Sequence, residues 1–204
     1  QGVAQKNAIT VEDIWQDYKF IGKSVPGFNF LKDGKHYTRL EDNTIKQYDL
    51  VSGNFVTTIF SANDVEAITT FPKKFDSYSF NADEDQILLE TDKESIYRRS
   101  SKANYYVWNS QQKEVSELFN GGKQSYATFS PDADKVAFDF ENNLYVKDLE
   151  SKQTTQITDD GKFNEIINGG ADWVYEEEFS FAKAFHWSPD GKKIAFMRFD
   201  ERVV

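Results

Sequence analysis

The sequence predicts an all-β protein made by repeating one unit of four-stranded antiparallel sheet, and three observations lead there. A turn phrase recurs as Phe30-Leu31-Lys32-Asp33-Gly34-Lys35, Phe80-Asn81-Ala82-Asp83-Glu84-Asp85, Phe129-Ser130-Pro131-Asp132-Ala133-Asp134 and Trp187-Ser188-Pro189-Asp190-Gly191-Lys192. Its aspartates stand at 33, 83, 132 and 190, a period of roughly 50 residues, which suits one blade of a propeller. A closing phrase follows at Ile45-Lys46-Gln47-Tyr48-Asp49-Leu50 and Leu144-Tyr145-Val146-Lys147-Asp148-Leu149, with a looser copy at Tyr105-Tyr106-Val107-Trp108-Asn109. Aromatic residues make up 16% of the 204 residues against a single Met, a composition that favours strands over helices. The expected architecture is a partial β-propeller of about three and a half blades, with short helical insertions.

Residues 1–27 read as an N-terminal segment with one short helix, and 28–204 as blades. Residues 1 to 8 are polar and expected to be mobile at a chain end. Ile9-Thr10-Val11-Glu12-Asp13-Ile14 is a helix start: Thr10 suits an N-cap, Asp13 a capping-box acid, and Ile9 with Ile14 a hydrophobic staple. The helix must be brief, because the pattern changes by Gly22. The four prolines lie in turn-like contexts, at Val25-Pro26-Gly27, Phe71-Pro72, Ser130-Pro131-Asp132 and Ser188-Pro189-Asp190. In the repeated turns, Pro fixes φ and Asp-Gly accepts left-handed geometry. Asp33, Asp83, Asp132 and Asp190 are therefore turn formers rather than metal ligands. Trp15, Trp108 and Trp187 read as blade core.

Two departures from the period carry the functional interest, because blades are scaffold and insertions hold sites. The second unit has extra residues, Glu94 through Lys102, between two of its strands. The gap before the fourth contains Asp172-Trp173-Val174-Tyr175-Glu176-Glu177-Glu178-Phe179. Three adjacent carboxylates repel, so they are either a solvated acidic turn or a receptor for a cation. In a strand, neighbouring glutamates would face opposite ways. On a helix they stand about 100° apart and two can lean over one cavity. Paired function thus requires a short helix here, with Gly169 and Gly170 allowing a sharp approach and Asp172 as its cap. A primary ammonium, with three donors and one charge, suits two carboxylates better than one. For Trp173 and Tyr175, core packing is preferred over the alternative that they line the pocket.

The 34 acidic and 24 basic residues give a net charge of -10, which argues against a nucleic-acid partner. Without cysteine there is no disulfide, thiolate nucleophile or cysteine-ligated zinc. No apolar run approaches the ~18 residues of a membrane span, and no signal peptide is visible. No Gly-x-Ser-x-Gly elbow is present, and His36 and His186, the two histidines, both lie in repeat strands, so no catalytic residue is assigned. Calcium on Glu176–Glu178 is disfavoured, since calcium loops alternate ligands with glycine. No metal or cofactor is expected.

From about Ile9 to its end the chain resembles the dipeptidyl peptidase IV family of the prolyl oligopeptidase group of serine peptidases. The most specific match is Asn168-Gly169 through Asp172-Trp173-Val174-Tyr175-Glu176-Glu177-Glu178-Phe179, followed by Trp187-Ser188-Pro189-Asp190-Gly191. The resemblance implies a propeller ahead of an α/β-hydrolase domain of the same parent chain. It also implies release of Xaa-Pro or Xaa-Ala dipeptides from peptides with a free N-terminus. Glu177 and Glu178 match the glutamates that hold the substrate amine. Tyr97-Arg98-Arg99-Ser100 resembles the segment whose arginine contacts the substrate carbonyl, making Arg98 the choice and Arg99 the fallback. The catalytic serine, aspartate, histidine and oxyanion tyrosine would come from the C-terminal part, so these 204 residues alone are expected to be inactive. The resemblance further implies a homodimer of the full-length protein and a periplasmic or secreted location. The alternative is an interaction propeller without catalysis, like that of TolB-type proteins, which share the Ser-Pro-Asp-Gly repeat.

Overall fold

The computed structural model describes residues 8–22, 27–65 and 70–202. The polar start and the Val25-Pro26-Gly27 turn lie outside these, apart from Ala8 and Gly27. The first element is α1 (Val11–Trp15), with the capping box in place: Asp13 N–H donates to Thr10 Oγ1 at 3.2 Å and Thr10 N–H to Asp13 Oδ2 at 3.0 Å. None of its residues is buried. Trp15 is 72% exposed and Ile9 and Ile14 also face outward. The assignment of Trp15 to a blade core is therefore wrong: a five-residue helix ahead of the first sheet has no sheet face to pack on.

Three four-stranded antiparallel meanders follow. Blade one is β1 (Asn29–Phe30), β2 (His36–Glu41), β3 (Thr44–Asp49) and β4 (Phe55–Ser61). Blade two is β5 (Ser77–Phe80), β6 (Gln86–Ser95), β7 (Ser101–Asn109) and β8 (Glu114–Glu117). Blade three is β9 (Ser125–Phe129), β10 (Lys135–Phe140), β11 (Asn143–Asp148) and β12 (Thr154–Gln156). The fourth unit is irregular. β13 (Ile166–Asn168) leads into α2 (Trp173–Phe179), then β14 (Phe185–Trp187), β15 (Ile194–Phe196) and β16 (Arg198–Asp200). Here β14 pairs with β15 and β13 with β16. The assembly is a partial propeller.

The recurring turn has one backbone solution. Gly34, Glu84, Ala133 and Gly191 occupy the same place in the four copies, with φ of 65°, 59°, 65° and 67°. Glycine takes this left-handed geometry freely, while Ala and Glu carry strain there. The polar side chains close the loop. Asp33 Oδ1 accepts from the N–H groups of Lys35 and His36, and Ser130 and Ser188 hydroxyls donate to Asp132 and Asp190. In the second copy Asn81 does this, its Oδ1 accepting from Asp85 and Gln86 N–H at 3.1 and 3.0 Å. Asp83 is instead 72% exposed beside Lys32. The closing phrases end alike, Asp49 and Asp148 each accepting from the N–H and hydroxyl of a serine three residues on.

Blades bury both faces, so their central strands are apolar on consecutive residues rather than alternating. In β6, Ile87 and Leu89 pack with Ile45 and Phe60 of blade one, while Leu88 joins Val136 and Phe138 of blade three. Each such buried side chain contributes about 1.5–3 kcal/mol. Trp108 and Trp187 pack partly buried against the cores, as expected of blade residues. Polar links lock neighbours: Thr38 Oγ1 and Tyr78 OH are 2.7 Å apart, and Lys147 Nζ donates to the carbonyls of Glu117 and Leu118. Lys183 Nζ donates to Thr128 Oγ1 at 2.8 Å.

Candidate functional site

Two protrusions meet at one place. The first is the blade-two insertion, which continues the β6–β7 hairpin as an arm: past an irregularity between Thr91 and Glu94, Glu94 pairs with Lys102 and Ser95 with Ser101. Its tip, Ile96 to Ser100, is closed by Ile96 N–H donating to Ser100 O at 2.9 Å. The second is α2, the short helix that paired glutamates require. Asp172 caps it through Tyr175 N–H, 2.8 Å from Asp172 Oδ1, and Ser180 ends it with φ of 63°. Beneath α2 the chain pairs with itself, Ala171 N–H to Ala182 O and Ala184 N–H to Gly169 O, both at 2.8 Å. Gly169 has φ of 83°, and a Cβ there would stand 2.5 Å from Leu144 Cδ2 in the core. Only glycine satisfies both constraints.

The three glutamates of α2 differ in role, because successive helical residues point about 100° apart. Glu176 is buried, and its Oε1 accepts from the backbone N–H groups of Arg99 at 2.6 Å and Ser100 at 2.8 Å. Glu177 is half-buried: its Oε1 stands 3.1 Å from Arg98 Nη1 and its Oε2 accepts from Tyr97 OH at 3.2 Å. Glu178 is exposed, and among the described residues its carboxylate forms no hydrogen bond or ion pair. Arg99 turns the other way and donates through Nη2 to Ser180 Oγ at 2.9 Å.

The structure thus brings Arg98 to Glu177 and leaves Glu178 beside them, open to solvent. Arg99, the fallback, serves the joint between arm and helix. Sequence reasoning missed Glu176 and Tyr97. The signal available was the invitation of a buried turn: a hairpin tip with consecutive free N–H groups needs an acceptor. Trp173 is 62% exposed, so its assignment to the core is wrong. It stands at the first helical position and lines a cavity beside α2 rather than packing in a blade core. Tyr175 is half-buried and packs on Phe179, Phe181 and Phe199.

Chemically, the arrangement presents one carboxylate held by a cation and a phenol, a second free carboxylate one residue on, and an exposed guanidinium. Such a set can receive a primary ammonium while offering a donor to a carbonyl nearby. Among the described residues no three carboxylates or imidazoles are grouped to hold a metal ion, and no helix is long and apolar enough to cross a membrane.

Residues 81–204 match the family model described as the dipeptidyl peptidase IV N-terminal region. The chain is 30% identical to prolyl endopeptidase FAP of Mus musculus over 98% of its own length and 25% of that protein. It is 33% identical to dipeptidyl peptidase 4 of Felis catus, covering 82% of this chain and 22% of the relative. The crystal structure of Porphyromonas gingivalis dipeptidyl peptidase 4 superposes with a TM-score of 0.89 at 34% identity, over 98% of this chain and 28% of that one. The chain therefore spans about a quarter of the length of the relatives it matches.

Proposed function

Because the chain belongs to the dipeptidyl peptidase IV family, as the N-terminal part of its propeller, we propose that it is the substrate-reading part of a serine-type exopeptidase. In this reading the intact protein releases Xaa-Pro or Xaa-Ala dipeptides from peptides with a free N-terminus. A C-terminal α/β-hydrolase domain supplies the nucleophile, base and oxyanion donor. Glu177 and Glu178 receive the substrate ammonium, and Arg98 binds the carbonyl that follows it.

The observation that carries this reading is the Arg98–Glu177 contact at 3.1 Å, which joins two insertions from different blades in one cluster. An exposed ion pair contributes only about 0–1 kcal/mol to stability, and Arg98 is 68% exposed. Stability alone is a weak reason to build it, whereas aiming two charges at one ligand is a strong one. The carboxylate of Glu177 is oriented by Tyr97 OH before any substrate arrives, and this preorganisation lowers the cost of binding. An acylated or internal amine has neither the charge nor the donors to satisfy two carboxylates, so the clamp sets an exopeptidase register.

The test is hydrolysis of Gly-Pro-anilide beside its N-acetylated counterpart by the intact protein. Cleavage of the free amine alone is expected, with Glu177→Ala and Glu178→Ala each lowering kcat/KM at least about a hundredfold, as for a buried charge-assisted contact of ~3 kcal/mol. Equal cleavage of both anilides would remove the glutamates from this role. Cleavage of neither by folded protein would overturn the peptidase reading.

A further inference from the structure

Beside α2 and the arm tip lies a cavity of about 230 Å³, whose lining includes Ile96, Tyr97, Ser100 and Glu176. Its floor is blade three. In β10, Val136 and Phe138 join the core shared with blade two, while Ala137 packs toward the fourth unit. Period-two alternation places Asp139 on the same side as Ala137. Asp139 is only 9% exposed, lines the cavity, and its Oδ2 is buried without a hydrogen-bond partner. An isolated buried carboxylate oxygen is costly, and native structures rarely leave one unmatched without a reason.

The surroundings indicate what would match it. Glu176 from α2 and Glu201 beyond β16 also line the space, and among the described residues no Lys, Arg or His does. Tyr126 from β9 faces Asp139 and Glu176, and both negative charges, with burial the larger cause, push its phenol pKa up. Aromatic side chains complete the wall, with Tyr97, Tyr126, Phe163 and Trp173 all on the lining. Acidic groups among aromatic rings favour an organic cation. A bare metal ion does not fit: among the described residues no metal-holding group of carboxylates forms, and an ion would leave most of the volume to water at ~30 Å³ per molecule. Glu176 Oε1 already holds two N–H groups, whereas Asp139 Oδ2 is the lining carboxylate oxygen that is fully buried and, among the described residues, without a partner, which gives a cation its point of attachment.

We propose that this cavity binds a monovalent organic cation, a guanidinium or alkylammonium group on an apolar stem, with Asp139 as its counter-ion. The cation can arrive on a peptide side chain or as a free small molecule, and the chemistry is the same. With the cavity empty, burial pushes the Asp139 carboxyl up to about 8, so binding takes place with release of its proton, and affinity rises with pH until the group is ionised.

The probe is n-butylguanidinium, titrated calorimetrically into the intact protein. Saturable binding is expected, at least about tenfold tighter near pH 8.5 than near pH 6.5. Asp139→Asn, which keeps the shape and removes the charge, should weaken it at least about tenfold while leaving Gly-Pro-anilide turnover unchanged. No binding up to about 20 mM, or equal binding by Asp139→Asn of native melting behaviour, would overturn the proposal. Calorimetry does not depend on the peptidase reading, so each can fail alone. The source is assigned by competition: butylguanidinium raising KM for Arg-Pro-anilide but not norleucyl-Pro-anilide identifies a peptide side chain, and no difference between them identifies a free ligand. Either pattern upholds the site.

Discussion

Glu176→Ala should dismantle the proposed peptide site without touching any group proposed to meet substrate. The side chain accepts two backbone N–H groups at the arm tip, from Arg99 at 2.6 Å and Ser100 at 2.8 Å. A buried donor left unmatched costs about 1–3 kcal/mol, more when the lost acceptor is charged. Ser100 is 6% exposed and bears this in full, whereas Arg99 is exposed and water replaces part of its bond. The sum is roughly 2–4 kcal/mol, and it falls on the tip, because the tip's other ties to α2 run through the exposed side chains of Tyr97 and Arg98 to Glu177 and of Arg99 to Ser180. Hydrogen exchange at the Ser100 amide should therefore accelerate roughly a hundredfold, about 2.7 kcal/mol of lost protection. The midpoint of global unfolding should move much less. With the tip loosened, Arg98 is no longer held against Glu177, and KM for Gly-Pro-anilide should rise about tenfold. Glu176→Gln keeps an acceptor and loses only charge assistance, so about half the effect is expected. Ser100 exchange within about threefold of native in Glu176→Ala, with unchanged KM, would refute the view that this buried carboxylate builds the site.

Other consequences are quickly measured. Asp139 holds its proton up to about 8 in the fold against 3.8 ordinarily. The unfolded chain therefore binds fewer protons between about pH 4 and 8, and stability should fall across that window by at most ~1.4 kcal/mol per unit, flattening above it. Urea midpoints of Asp139→Asn should lose that slope. Gly169→Ala should destabilise by about 1–3 kcal/mol, from a left-handed φ and a clash with Leu144, and should weaken substrate binding because Gly169 stands at the foot of α2. Ala133→Gly should raise stability by roughly 0.5–1 kcal/mol in the same urea assay, since Ala133 holds a φ of 65° where two of its counterparts are glycine. Arg98→Ala should change the unfolding midpoint by less than about 0.5 kcal/mol, as exposed ion pairs do, yet raise KM.

What could be read from the sequence was local. The blade turns, the capping box at Thr10 and Asp13, the Asp172 cap and the helix over Trp173–Phe179 all follow from contacts within a few residues. What escaped depends on partners far along the chain. Three glutamates in a row look alike, and their separation into buried, half-buried and exposed comes from a hairpin tip 76 and 77 residues away. A large aromatic residue reads as inward-facing, yet Trp15 and Trp173 both stand exposed on short helices. Asp139 was invisible for the opposite reason. A polar residue in a strand reads as solvent-facing, whereas stacked blades leave β10 no solvent face. The clue was the unbroken company of Val136, Ala137, Phe138 and Phe140 around it.

The joint between the arm tip and α2 also orders events during synthesis. Arg99 and Glu176 are 77 positions apart, and all of blade three lies between them. Closing so long a loop has an entropic cost that the local hairpins do not bear, so the two insertions meet only once blade three, which lies between them, is in place. A ribosome-bound chain that has made Arg98 but not α2 carries an arm without the Glu177 partner of that arginine. In the proposed reading, affinity for a peptide amine therefore appears only when this joint closes, and a chain that has not yet closed it does not hold the clamp together.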